Sequence, residues 1–302
     1  MTASTPVQGD PQAALDFMRW ARPAGPWVLT AIPPEGGITQ TRTFRLDEPL
    51  DLMSWVAERI GKLNLYWAVN PSIGPLSSEA KKEDVASVEF LHVDMDPANP
   101  TVTDPNAIQA HNEAERERIL SRLEFCDPRP SAIIDSGGGF QAFWRLAEPI
   151  LVIGNLALVT AAEAYNIQLA TLLGADHCHN ADRVMRLPGT LNIPDAKKRK
   201  KGRVERLASV VLTNDLAYPL SKFTAAPRVQ GRAGSSGGAA VRIPAKLAFL
   251  KDLDELGEKV SNRTRMLIVQ GAVAAAHVQC ASARNSRRVG RRIRWGWRLK
   301  TL

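Results

Sequence analysis

Two aspartates, Asp94 and Asp96, follow an apolar segment of strand-forming residues at positions 90–93. Side chains two positions apart in a strand point to the same face, so both carboxylates should face one point. Two like charges held this close repel each other, and a divalent cation between them relieves the repulsion. The spacing therefore predicts a Mg²⁺ or Mn²⁺ site, although Asp-x-Asp also occurs on solvated loops.

A glycine turn follows between two short apolar segments and predicts a β-hairpin. Backbone N–H groups in such a turn can face an anion, and the missing side chains let a phosphate approach. Strand alternation beyond the turn places Gln141 and Arg145 on one face, where both could reach a triphosphate. An ordinary hairpin turn is the alternative. The turn comprises Ser136, Gly137, Gly138 and Gly139.

A third group of polar residues lies between positions 174 and 192. Asp176 or Asp182 could complete a divalent-metal site, and Arg186 could pair with phosphate oxygens in bidentate fashion. The basic run that follows could track a nucleic-acid backbone, or it could be a solvated loop. The run is Lys197, Lys198, Arg199, Lys200 and Lys201.

Charge is distributed unevenly along the 302 residues, whose net charge is +8. Residues 260–302 hold ten Lys and Arg and no acidic residue, whereas residues 1–259 hold 29 Lys and Arg against 31 Asp and Glu. The N-terminus shows no signal-peptide pattern, and no uninterrupted apolar run reaches membrane-spanning length, which predicts a cytoplasmic protein without a membrane partner. Three scattered cysteines, Cys126, Cys178 and Cys280, predict reduced thiols. The segment 177–179 (His-Cys-His) is a poor zinc pattern, because adjacent ligands rarely converge on one ion.

The order of elements predicts an α+β domain over residues 10–225. Helices are predicted at residues 11–21, 52–63, 107–125 and 156–173, and strands at 27–32, 38–44, 64–70, 90–96, 132–135, 140–146, 183–187 and 204–211. The whole chain then divides into a catalytic domain at 1–225, a flexible linker at 226–242, a helical segment at 243–283 and a basic tail, predicted to be disordered, at 284–302.

The ordered motifs resemble the catalytic core of the archaeo-eukaryotic primase superfamily, in particular the primase-polymerase domains of plasmids, phages and integrative elements. The resemblance covers roughly residues 25–210 and rests on the strand with Asp94 and Asp96, the Asp-Ser-Gly-Gly-Gly-aromatic-x-x-x-Trp segment and the Asp-Arg-x-x-Arg-Leu-Pro-Gly-Thr-x-Asn segment. It implies an RRM-like catalytic sheet with an N-terminal α/β part. Relatives often carry a helicase-like region downstream, so this chain is expected to be an isolated or truncated primase module.

The resemblance also implies roles for individual residues. Asp94, Asp96 and a third aspartate would hold two divalent ions; the family spacing to the Arg-Leu-Pro element favours Asp176 over Asp182. The implied nucleotide-binding residues are Ser136, Gly137, Gly138, Gly139, Gln141, Arg145, Arg186 and Asn192. One departure matters, because the family commonly has a triphosphate-contacting His at the position of Gln141, whose neutral amide adds no charge.

The leading hypothesis is a metal-dependent DNA primase or primase-polymerase, a nucleotidyltransferase that makes or extends primers on single-stranded DNA during replication of a mobile element. Its substrates would be nucleoside triphosphates, and a separate replicative helicase would be a partner. Gln141 favours an alternative, a catalytically impaired replication-initiation protein that binds DNA through the same fold. A nucleotide-binding regulator that uses no template is a third interpretation.

Overall fold

The computed structural model describes residues 8–227, which lie almost entirely within the compact unit Met1–Ala226. This part of the chain has a mixed α/β architecture with mainly antiparallel sheets, as the sequence predicted. The predicted helical segment and basic tail lie outside the described residues, as does all but the start of the predicted linker. Cys280 lies there too, while Cys126 and Cys178 are free thiols.

The helices begin and end at residues suited to those positions. In α1 the side chain of Asp10 accepts a hydrogen bond from the N–H of Gln12, with Pro11 in the first turn. In α4 the side chain of Asn155 caps the first turn, and Gly174 ends the helix in the left-handed conformation. The helices are α1 (Pro11–Ala21), α2 (Pro49–Ala57), α3 (Pro105–Glu124), α4 (Leu156–Leu173) and α5 (Ala196–Lys200).

Two sheets and one hairpin make up the β-structure. The first sheet has the order β2-β1-β3-β7, with β1 (Trp27–Ile32), β2 (Gln40–Phe44), β3 (Asn64–Ala68) and β7 (Val184–Arg186), all antiparallel. In the second sheet the long strand β6 (Phe140–Leu151) pairs with β4 (Ser87–Met95), β5 (Ala132–Asp135) and, in parallel, β11 (Ala217–Tyr218), while β10 (Ser209–Thr213) pairs with β5. Strands β8 (Leu191–Asn192) and β9 (Arg206–Leu207) form the hairpin.

The second sheet separates two hydrophobic clusters. On one face, Phe90 and Phe143 pack with α1, α2 and the first sheet, and the Trp67 ring contacts both phenylalanines. On the other face, alternate residues such as Leu91 and Trp144 pack against α3 and α4. Alternation along β6 therefore places Gln141 on the face that meets the first sheet.

Side chains close the outer edge of β4, which pairs with β6 on its other side. The side chain of Asn70 accepts from the N–H of Glu89 at 2.9 Å, and that of Asn166 on α4 accepts from the N–H of His92 at 3.0 Å. Strand N–H groups without such partners would carry a desolvation cost in this buried setting. These amides therefore hold the strand that carries the two aspartates.

Most predicted elements are present, with differences at several boundaries. The second predicted helix ends at Ala57 rather than residue 63, because turns follow and Gly61 takes a φ of +76°. The last predicted strand is divided into β9 and β10 by the buried residue Ala208. The backbone of Ala208 forms hydrogen bonds with residues 189 and 190. Strands β8 and β11 and helix α5 were not predicted.

Helix α4 is long and apolar enough, by length and composition alone, to cross a membrane. Its apolar run is interrupted by buried Glu163 and Asn166. Glu163 pairs with Lys82 and accepts the N–H of Ala181, so these polar groups belong to the domain interior. The helix is packed as a core helix of the described unit.

Candidate active site

The end of β4 carries two of the three predicted metal-binding carboxylates. Asp94 lies directly opposite Gln141 in the β4–β6 pair and is partly buried, whereas Asp96, one residue beyond the strand, is exposed. Both follow the buried residues Val93 and Met95, whose side chains anchor the other face of the strand. The sheet thus fixes the backbone positions of Asp94 and Asp96.

Asp176, two residues after the Gly174 cap of α4, clamps the same strand end. Its N–H donates to the backbone carbonyl of Asp94 at 2.8 Å, and its carboxylate accepts the N–H of Asp96 at 3.0 Å. The segment after α4 therefore continues the edge bonding of β4. This clamp brings a third carboxylate to Asp94 and Asp96.

The electrostatics of Asp94 reflect this crowding. Burial, followed by the charges of Asp96 and Asp176, raises the pKa of Asp94 to about 7, while Arg183 and a hydrogen bond from Gln141 oppose the shift. A carboxylate with this pKa is held ionised at a cost that a nearby cation would offset.

Asp182, the alternative third ligand, lies in a different environment. Burial raises its pKa, and the charges that act on it include Lys82 and Glu163, not Asp94 or Asp96. The structure therefore brings Asp176, and not Asp182, to the two strand-end carboxylates.

The glycine turn is bonded within itself, which corrects one expectation. The N–H of Gly137 donates to the Asp135 carboxylate at 2.7 Å, and the N–H of Gly139 donates to the Ser136 hydroxyl at 3.0 Å. Ser136 is 6% exposed, and its hydroxyl also contacts the Gly139 carbonyl. The sequence had suggested that N–H groups in this turn face an anion. Instead, these two N–H groups and this hydroxyl are bonded within the turn and stabilise it.

The turn packs directly against the carboxylates. A Cβ added at Gly139 would overlap the carbonyl oxygen of Met95 and lie 2.8 Å from the Asp96 carboxylate. At Gly138 the added Cβ would lie 3.4 Å from both that carboxylate and the Asn192 amide. Glycine is required here because the backbone of one strand connection touches the end of another strand.

Arg186, at the end of β7, is held by several side chains and is 5% exposed. Its guanidinium donates to Asn64 at 2.8 Å and to the Tyr66 hydroxyl and Asn192 at 3.0 Å each, and it stacks over the Tyr66 ring. Asn192 in turn donates to the carbonyl of Ser136 at 2.7 Å. Burial lowers the pKa of Arg186, and the charges of Tyr66, Asp94 and Asp96 counteract this. These hydrogen bonds connect β3, β7 and the glycine turn.

Gln141 is buried between the two sheets, where it accepts the backbone N–H of Arg186 at 3.0 Å and lies directly opposite Asp94. Arg145, predicted to share the phosphate site, lies elsewhere. Its guanidinium donates to the carbonyls of Trp20 and Ala21 and stacks on the ring of Trp20. Four residues along a strand span about 13 Å, so the nucleotide-binding role predicted for Arg145 is not supported.

Two arginines near the carboxylates were not singled out from the sequence. Arg203 donates to the carbonyls of Gly138 and Pro97, and its charge acts on Asp96 and Asp176. Arg183 donates to the thiol of Cys178, whose sulfur lies 3.9 Å from an Asp94 oxygen. Arg203 follows the basic run by two residues, and Arg183 lies within the third motif.

The basic run forms α5, an exposed helix rather than a loop. The side chain of Asp195 caps it by accepting the N–H of Lys198, and Arg199 forms an ion pair with Glu35 at 2.9 Å. The exposed lysines of α5 precede Arg203 by a few residues. The positively charged surface of α5 is therefore close in sequence to Arg203, which lies near the carboxylates.

The carboxylates fit a divalent cation by their chemistry. Hard oxygen ligands suit Mg²⁺ and Mn²⁺. Burial raises the pKa of Asp94 most, and the charges of Asp96 and Asp176, which such an ion would neutralise, raise it further. Within residues 8–227 no three His, Cys, Asp or Glu side chains are already grouped around one point. The Asp176 carboxylate is held at the end of β4 by the N–H of Asp96.

Comparison with solved structures finds the AEP domain of the cyanophage S-2L primase-polymerase, at 18% identity and a TM-score of 0.47, covering 72% of this chain and 97% of that one. Primase RepB' matches at 11% identity and a TM-score of 0.46 over 94% of this chain and 70% of that one. The catalytic domain of primase Repb' in complex with initiator DNA matches at 13% identity and a TM-score of 0.40 over 70% and 88%. All three neighbours are primases or primase-polymerases. No protein-family model and no curated protein matches the chain.

Proposed function

We propose that this protein is a metal-dependent DNA primase or primase-polymerase that makes or extends primers on single-stranded DNA, in the replication of a mobile element. The observation that carries the proposal is the placement of Asp94, Asp96 and Asp176 at one end of β4, beside the glycine turn. Three carboxylates from two separate elements are electrostatically costly, and metal binding gives a reason for the cost.

Each residue would contribute a defined part of the reaction. Two bound divalent ions would activate the primer 3′-hydroxyl and hold the triphosphate with its leaving group. Asp94, Asp96 and Asp176 would hold these ions. The glycine turn would leave room for the incoming nucleotide, and Arg186 would supply positive charge on the side of β7.

The exposed lysines of α5 would contact the template backbone. Phosphate contacts by Lys and Arg release counterions from the strand, so this part of the binding energy depends on salt. Nucleoside triphosphates would be substrates, and a replicative helicase would supply the single strand in the cytoplasm.

The test is incorporation of labelled nucleotide on a single-stranded template, with and without primer, in Mg²⁺ or Mn²⁺. We expect synthesis by the wild type and its loss in Asp96→Ala. Asp182→Asn is the matched control, since it alters a nearby aspartate that does not reach the strand end, and it should retain synthesis.

Absence of synthesis by the wild type in either metal would contradict the proposal. If single-strand binding were retained in that case, the catalytically impaired replication-initiation protein would be the better description. The specific feature behind that second candidate is Gln141, which adds no charge to the site.

A further inference from the structure

Gln141 is 4% exposed and faces Asp94 across the β4–β6 pair. Its carbonyl oxygen accepts the N–H of Arg186 at 3.0 Å. A backbone N–H can only donate, so the amide oxygen must face Arg186 and the amide nitrogen is left to face Asp94, and Gln141 lowers the pKa of that carboxyl. The oxygen is therefore committed to a protein partner, and the nitrogen lies toward the Asp94 carboxylate.

These two contacts connect elements that the chain places far apart. Gln141 belongs to the second sheet, whereas Arg186 ends β7 in the first. The same arginine reaches Asn192, which bonds the glycine turn. The position of Asp94 is thus set by its own strand, by Asp176 and, through Gln141, by the other sheet.

We propose that Gln141 is a positioning residue, which orients Asp94 for metal binding and aligns the end of β7, and that it does not bind the triphosphate. The inference rests on the proposed function, because it assigns Asp94 as a metal ligand. Partners that orient a ligand in this way commonly control metal affinity. A buried amide whose oxygen accepts from Arg186 and whose nitrogen faces Asp94 has little capacity left for a phosphate oxygen.

Three substitutions in the full 302-residue chain separate the two contacts. Gln141→Met keeps the length of the side chain and removes both contacts, while Gln141→Glu keeps the acceptor for Arg186 and loses the donor that faces Asp94. Gln141→His restores one donor and one acceptor on a ring. Phe143→Leu is the matched control for reduced packing, since it lies two residues further on the same face of β6.

The primary measurement is Mn²⁺ binding, followed by the electron paramagnetic resonance of free Mn²⁺. We expect Gln141→Met and Gln141→Glu to weaken Mn²⁺ binding about 10- to 100-fold, with Phe143→Leu unchanged and Gln141→His closer to wild type. At saturating Mn²⁺ the nucleotide KM should change by no more than about twofold, with the loss appearing in kcat.

Unchanged Mn²⁺ affinity together with a raised nucleotide KM would make Gln141 a triphosphate ligand and overturn the inference. Wild type that synthesises DNA while all Gln141 variants bind Mn²⁺ normally overturns the inference alone. If the wild type makes no DNA but binds Mn²⁺ more tightly than the Gln141 variants do, the inference is supported and the proposed polymerase function is contradicted. Wild type that binds no Mn²⁺ overturns both.

Discussion

At Asp94, folding and metal binding place opposite demands on one carboxylate. Burial and two neighbouring carboxylates raise its pKa from 3.8 to about 7. The folded state therefore prefers the protonated acid, whereas a metal ligand must be ionised. For an acid with a raised pKa, the folded protein loses stability as the pH rises from about 4 through about 7.

Asp94→Asn should stabilise the protein at pH 8 in the presence of EDTA. The substitution removes the buried charge but keeps an acceptor for Gln141. Because one pKa unit corresponds to about 1.4 kcal/mol, we expect a gain of about 1–3 kcal/mol in the free energy of unfolding at pH 8. Urea denaturation at pH 8, 6 and 4 measures the difference.

The gain should shrink toward pH 4, where Asp94 is protonated in the folded state and therefore carries no charge to remove. Asp16→Asn, which changes an exposed aspartate of α1, is the control and should give no comparable gain. A gain at pH 8 that persists at pH 4 would show that repulsion at Asp94 is not its cause.

Among the secondary-structure elements, the glycine turn packs so closely against the end of β4 that neither can move without the other. Gly139→Ala places a methyl group onto the Met95 carbonyl and against Asp96. Since backbone must move on both sides, we expect a loss of about 2–4 kcal/mol in the free energy of unfolding. Synthesis should fall as well, because the turn is displaced from the carboxylates.

Gly74→Ala is the matched control, because an added Cβ there meets no atom within 4 Å and the φ of Gly74 is not positive. Thermal unfolding of the two variants, followed by circular dichroism, tests the difference. Equal melting temperatures would show that the turn can move away from Asp96 without cost.

Helix α5 is predicted to bind template through charge alone. Replacing Lys197, Lys198 and Lys200 with Gln should weaken single-strand binding and reduce the salt slope, by about 0.7 for each phosphate that the variant no longer neutralises. Fluorescence anisotropy across a salt series measures both. Replacing three other exposed cations, Arg19, Lys62 and Lys222, is the control; an equal loss of binding there would indicate net charge rather than α5.

Local signals explain why some elements were predicted to the residue. The bounds of α1 and α4 follow from Asp10, Pro11, Asn155 and Gly174, all of which act on their own helix ends. Strand β8 and the division at Ala208 depend on partners distant in sequence, so periodicity could not reveal them. A two-residue strand such as β8 or β11 also carries almost no pattern of its own.

The candidate site shows the same limit. The motifs pointed to Asp94 and Asp96 because these residues are two positions apart at the end of one strand, and to the glycine turn because it is one continuous segment between β5 and β6. The choice of Asp176 over Asp182 depends on which turn meets β4. Arg145 was misplaced because its position depends on Trp20, 125 residues away in the chain.

At the scale of the molecule, two hydrophobic clusters share the second sheet, and the candidate site lies where that sheet meets β7. The unit Met1–Ala226 contains both clusters and all three carboxylates. A fragment of residues 1–227 should therefore fold with a single cooperative thermal transition and retain metal-dependent synthesis. Circular dichroism and the incorporation assay test this, and a fragment without a cooperative transition would contradict it.

The closed edge of β4 has a consequence for self-association. Asn70, Asn166 and Asp176 occupy N–H groups that another chain could otherwise pair with, so this edge is protected against strand addition. Among residues 8–227, β10 ends the second sheet on its other side, with Val210, Val211 and Leu212 exposed and only a register shift to disturb pairing. In concentrated solution, aggregation of this unit should start at β10 and leave the edge of β4 intact.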